Sequence, residues 1–147
     1  MITRRDVSIA VLAVVGTLCA VAFADQSKPA FESKLFDWNN LVVKQTPIGS
    51  TRAVFRGPTA TLRELEVHVT TLNPGLASHP PHKHFNEEVL IIQQGTVEAL
   101  VNGEWKRAGP GSVIINGSNI LHGLKNVGDG PATYDVISWA SSETPKE

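Results

Sequence analysis

The chain has 147 residues, 41% hydrophobic and 18% charged, with 13 basic against 14 acidic side chains and a formal net charge of -1. That length suits one domain, and the near-balance of charge excludes a broad electrostatic field for nucleic acid. Ordinary apolar content excludes a disordered chain, and a single Cys, Cys19, excludes an intrachain disulfide scaffold.

At the N-terminus, Arg4 and Arg5 precede an apolar stretch, residues 7–24, that carries no charge and ends in Ala22-Phe23-Ala24. A basic start, an apolar middle and an A-x-A end are the parts of a secretory signal peptide. Residues 1–24 are therefore expected to be removed, and the protein to be exported to a bacterial periplasm or beyond. An uncleaved anchor helix is the alternative, at the short limit of a membrane span. Thr3-Arg4-Arg5-Asp6-Val7-Ser8 resembles the twin-arginine export signal, which moves folded proteins. Val7 fits that pattern and Ser8 is a weak match. Leu18 before Cys19 is not the small residue that a lipid-anchored site needs. Membrane contact is expected only through this peptide, and with it leaves the only Cys.

Residues 25–45 are expected to form an N-terminal arm. It is polar as far as Lys34, then carries Phe36, Trp38, Leu41, Val42 and Val43 to pack across the domain or against a partner. Residues 46–147 are expected to be a barrel domain. From Leu62 onward apolar and polar residues alternate, with Leu65, Val67 and Val69 on one face and Glu64, Glu66, His68 and Thr70 on the other. The apolar set is expected to be buried, and the polar set to be an ordinary solvent face, with pocket lining as the alternative for Glu66 and His68. Asn73-Pro74-Gly75 ends that strand. Further strands are predicted at residues 89–93, 96–101, 104–107, 112–115, 122–125 and 133–139. Turn residues separate them, and Asn102-Gly103 is the strongest hairpin signal. No helical stripe of useful length follows Ala24. The chain is predicted to be all-β, one small barrel or sandwich.

Three of the five His, His79, His82 and His84, fall close together. Pro80-Pro81 rule out a helix there. In an extended strand His82 and His84 would present two imidazoles to one face. Phe85-Asn86-Glu87 can then turn the chain and bring Glu88 beside them. Two imidazoles and a carboxylate on adjacent strands make a rigid face for a divalent cation. A bare H-x-H would more often be a metal-free surface loop, but a second segment, from Gly111 to Asn126, alters that balance.

Together the two segments resemble the paired motifs of the cupin superfamily. In the first, His82-x-His84, three residues, Glu88, six residues and Gly95 match, with Gly75 one residue farther upstream than usual. In the second, Gly111, His122 and Asn126 hold the register. Gly117 stands where Pro is usual and Asn119 where Gly is usual, both turn-permissive. The resemblance implies a double-stranded β-helix, or jelly-roll barrel, with His82, His84, Glu88 and His122 as metal ligands. Glu87, out of phase with Glu88, is expected to face away, and His79 to sit in an exposed loop or at the cavity rim. Tyr134, Trp105 and Trp139 are expected to be core or hairpin aromatics.

Four such ligands leave two positions open on an octahedral ion, enough for a bidentate oxygen ligand or for substrate beside dioxygen. Mixed N/O donors without thiolate suit Mn, Fe, Ni, Cu or Zn, and folding before export would favour Mn or Fe over the tighter-binding Cu and Zn. Cavity positions such as Leu90, Ile92 and Leu124 would be apolar and suit a small ligand. The expected function is a small metalloenzyme of dioxygenase, isomerase or lyase type acting on an oxygen-rich small molecule. The alternative is a non-catalytic cupin binding a small acid, a sugar or the metal itself, supported by the lack of a convincing second acid or base. A homodimer is expected, with apolar residues 31–43 available to it.

Overall fold

A computed structural model describes residues 32–145, and nine strands run through them. The expected export signal, Cys19 and the first part of the arm lie outside the described residues. The strands are β1 Val43–Thr46, β2 Gly49–Gly57, β3 Glu64–Leu72, β4 Glu87–Gln94, β5 Val97–Val101, β6 Glu104–Ala108, β7 Val113–Asn116, β8 Leu124–Asn126 and β9 Ala132–Ala140. The helical content of the described residues is one 3-10 turn, Trp38–Asn40, capped by the Asp37 carboxylate.

Six strands form one sheet in the order β1-β2-β3-β9-β4-β7, and three form a second in the order β6-β5-β8. All pairs are antiparallel. The inner faces meet in a core of Leu72, Leu90, Ile92, Val97, Ala99, Ile114, Leu124, Ala132, Tyr134 and Val136. β9 alternates buried and half-buried along its whole length, as a strand with one face inside must. The all-β jelly-roll architecture expected from the sequence is thus present.

The turn chemistry acts as predicted. Asn102 and Gly103 both take positive φ, 53° and 83°, so a tight turn of the primed type joins β5 to β6. Gly95 has φ 86°, and a Cβ there would lie 2.7 Å from the Ala132 backbone, so the motif glycine lets the β4–β5 turn pass against β9.

Two expectations need correction. β1 and β2 were not predicted, because residues 43–57 lack clean alternation. The β2–β3 register shifts between Ala53 and Phe55, a bulge that breaks the period of two. Part of the arm packs on β2: Arg52 stacks over Trp38 at 4.3 Å, and the Phe36 and Phe55 rings lie 6.3 Å apart. In β3 the polar face, not the apolar one, points inward. Glu64, Glu66, His68 and Thr70 line a cavity, while of the apolar set Val69 is buried as expected and Leu65 and Val67 are half-buried. Alternation shows that two faces differ; which face is inside depends on the partner sheet.

Asn126 ties one end of the barrel together. Its side-chain nitrogen donates to the Leu72 and Gly130 carbonyls, and its oxygen accepts from the Gly128 N–H, with 1% of the residue exposed. Asn126→Leu should cost about 2–4 kcal/mol, since it strands two acceptors and a donor. Denaturant unfolding checks this; a loss under about 0.5 kcal/mol would contradict the tie.

Candidate metal centre

The site begins with a loop held like a strand. Residues 75–84 run antiparallel to β8 and its approach: Gly75 N–H donates to the Asn126 carbonyl, Asn126 N–H donates to the Leu76 carbonyl, and Ala77 bridges Lys125. His82 and His122 exchange both backbone hydrogen bonds at 3.0 Å. The expected extended strand through His82 and His84 is instead an isolated bridge at His82. Pro80 and Pro81 supply no N–H to continue a ladder. Asn119, in the motif's glycine place, adopts φ 57° and donates its N–H to the His84 carbonyl at 2.7 Å. The second motif is thereby pinned to the first.

Each imidazole is oriented by its own loop. Nδ1 of His82 lies 3.1 Å from the Pro80 carbonyl, Nδ1 of His84 2.9 Å from that of Asn86, and Nδ1 of His122 2.7 Å from that of Ile120. A carbonyl only accepts, so Nδ1 carries a proton in all three and Nε2 is the nitrogen left to face a metal. The three ligand atoms lie within 4.8 Å of one another, with ring centroids 4.6 Å apart for His82–His122 and His84–His122 and 5.5 Å for His82–His84. Nε2 of His122 is buried without a hydrogen-bond partner. Burial lowers the His122 pKa below 6.5, outweighing the Ile120 carbonyl and Glu88, which raise it. The neutral ring is the form that binds a metal.

The Glu88 carboxylate reaches the same place from β4. Oε1 lies 3.3 Å from Nε2 of His122 and Oε2 lies 3.8 Å from Nε2 of His84. Asn116 Nδ2 donates to Oε1 at 2.8 Å. Glu87 faces outward, as expected, and accepts from Trp139 Nε1 at 3.0 Å. An orphaned buried nitrogen, three imidazoles oriented by their loops and an adjacent carboxylate fit a divalent transition metal. The three His can hold such an ion.

The cluster opens into a cavity of about 280 Å³. Register places Arg56, Glu66, Ser138, Glu88 and Asn116 side by side on β2, β3, β9, β4 and β7. Arg56 pairs with both oxygens of Glu64 at 3.3 Å and lies 3.6 Å from Glu66. His68 Nδ1 is buried 3.1 Å from Glu66 Oε1 without hydrogen-bond alignment. Glu66 and His68 therefore stand side by side in the cavity, where the sequence favoured a solvent face. Tyr134, expected as core, also lines it, and burial raises its pKa. Leu90 and Leu124 line it as expected, whereas Ile92 lies in the packed core. Arg56 and Ser138 were missed: no motif contains them, and only strand pairing brings them in. His79 is exposed at the rim.

Known proteins converge on one family. The model of the cupin domain matches residues 68–138. No curated protein matches the chain significantly. An RmlC-like cupin from Shewanella frigidimarina is 14% identical with TM-score 0.61, covering 76% of this chain and 95% of that one. The polyketide cyclase RemF from Streptomyces resistomycificus is 17% identical with TM-score 0.61, covering 78% and 90%. A predicted oxalate decarboxylase from Thermotoga maritima is 16% identical with TM-score 0.58, covering 73% and 99%. At such identities the likeness is one of fold. Matched domain, sheet order and paired histidine motifs agree: residues 68–138 form a cupin domain.

Proposed function

We propose that this protein is an exported metalloenzyme of dioxygenase, isomerase or lyase type, acting on an oxygen-rich small molecule. His82, His84, His122 and Glu88 hold its metal. The observation that carries the reading is the Glu66–His68 couple sharing one cavity with the histidine cluster. A group able to take or give a proton across the cavity from the metal ligands is what a proton-transferring enzyme needs. Cyclase and decarboxylase activities named for proteins of similar fold support an enzyme without selecting a reaction.

Bound Mn, Fe, Ni, Cu or Zn would act as Lewis acid, electron relay or template. The chain supplies the rest. Asn116 orients Glu88, and the loop carbonyls hold each imidazole in its liganding tautomer. Ser138 offers a hydroxyl to a ligand, while the Tyr134 hydroxyl is held by Ser78 and Thr70. Leu90, Leu124 and Val136 limit water in the cavity. Mn or Fe is favoured if folding precedes export, a reading that rests on Arg4 and Arg5.

Metal-loaded protein should turn over a member of a panel of small acids and sugars, read by oxygen uptake and product analysis. His84→Ala should abolish that turnover. Ligand-induced thermal shifts with no turnover under any of the five metals would support the non-catalytic alternative instead.

A further inference from the structure

The buried metal cluster has an uptake problem. Nε2 of His122 has no solvent contact, and its side chain is 4% exposed against 23% for His84. A hydrated ion must shed water before reaching it, and a donor at the rim lowers the cost of each exchange. His79 stands at that rim. Its ring centroid lies 5.3 Å from that of His82, inside the 4.6–5.5 Å range found within the cluster. Two imidazoles sharing one ion through nitrogens about 2.1 Å away place their rings about 5 Å apart. Pro80 and Pro81 fix two of the backbone φ angles between His79 and His82.

We propose that His79 and His82 form an outer two-imidazole station that passes a divalent transition metal to the buried cluster. His82 belongs to both sites. Its Nδ1 is committed to the Pro80 carbonyl, so the same Nε2 serves the arriving ion and the settled one. His79 and Glu88 both lie outside the three ligand atoms within 4.8 Å of one another, but Glu88 reaches Nε2 of His122 and of His84 at 3.3 and 3.8 Å, whereas His79 meets the cluster at the His82 ring, so His79 is placed outside the final site. The proposal rests on the metal reading of that cluster, but concerns a residue outside it.

A station used only in transit affects binding and release by the same factor, because both follow one path. Stopped-flow absorbance with Co(II) on the metal-stripped protein tests this. His79→Ala should slow both association and dissociation by about 10-fold, which is about 1.4 kcal/mol on the shared barrier. The equilibrium Kd should stay within about twofold. Unchanged rates would overturn the proposal. Faster dissociation with a weaker Kd would also overturn it, by making His79 a permanent ligand. A parent protein that binds no Co(II) would overturn the metal reading itself, a result distinct from Co(II) binding at equal rates in both proteins.

Discussion

Glu88→Ala is expected to weaken divalent-metal affinity by at least about 100-fold, exceeding the loss typical of an outer hydrogen-bond partner. Glu87→Ala should leave affinity within about twofold. The contrast follows from strand phase. Adjacent residues on β4 point to opposite faces, so Glu88 meets His84 and His122 inside while Glu87 meets Trp139 outside. Titration with Co(II) or Zn(II) against a competing chelator measures both variants. Equal effects would remove Glu88 from the ligand set. Because Asn116 donates to Glu88, the carboxylate is already fixed before metal arrives, and little ordering entropy is left to oppose binding.

His68→Asn is expected to lower kcat by about 10²–10⁴, the usual contribution of a positioned acid or base. Metal content and affinity should not change. His68 lies on β3, separated by β9 from β4 and Glu88. With strands about 4.8 Å apart, Glu66 and Glu88 stand roughly 10 Å apart at Cα, leaving room for a small molecule between them. Glu66 Oε1 faces His68 Nδ1, which leaves Nε2 as the nitrogen to give or take a proton. The charged groups around this couple are Arg56 on β2, Glu64 and Glu66 on β3 and Glu88 on β4. The measurement is kcat on whichever acid or sugar the screen turns over, with metal content determined on the same sample. An undiminished kcat would leave the couple a structural feature and move the reading toward a binding protein.

Spacing put His82, His84 and Glu88 together in the sequence, and the family resemblance added His122. His82-x-His84 and Glu88 are local, and a few residues of backbone set their relation; His122 followed because the second motif keeps its own register. The hairpin at Asn102-Gly103 was equally legible, since positive φ at both positions is a property of those residue types. β2 was not, because the bulge between Ala53 and Phe55 breaks its period, and β1 was not, because three of its four residues are exposed and it has no buried face to alternate with.

The sequence by itself determined that the chain is all-β, that its motifs are those of a cupin, and which residue types could bind a metal. These depend on contacts a few residues long and on the chemistry of side chains. The tertiary structure decided which face of β3 is inside, and so turned Glu66 and His68 from a presumed solvent face into part of the cavity. It also brought Arg56 and Ser138 to the site and set His79 beside His82 at its rim. Those facts depend on pairing across five strands and on the packing of two sheets. Such contacts are set by which surfaces exclude water together, and no local pattern in the chain carries that information.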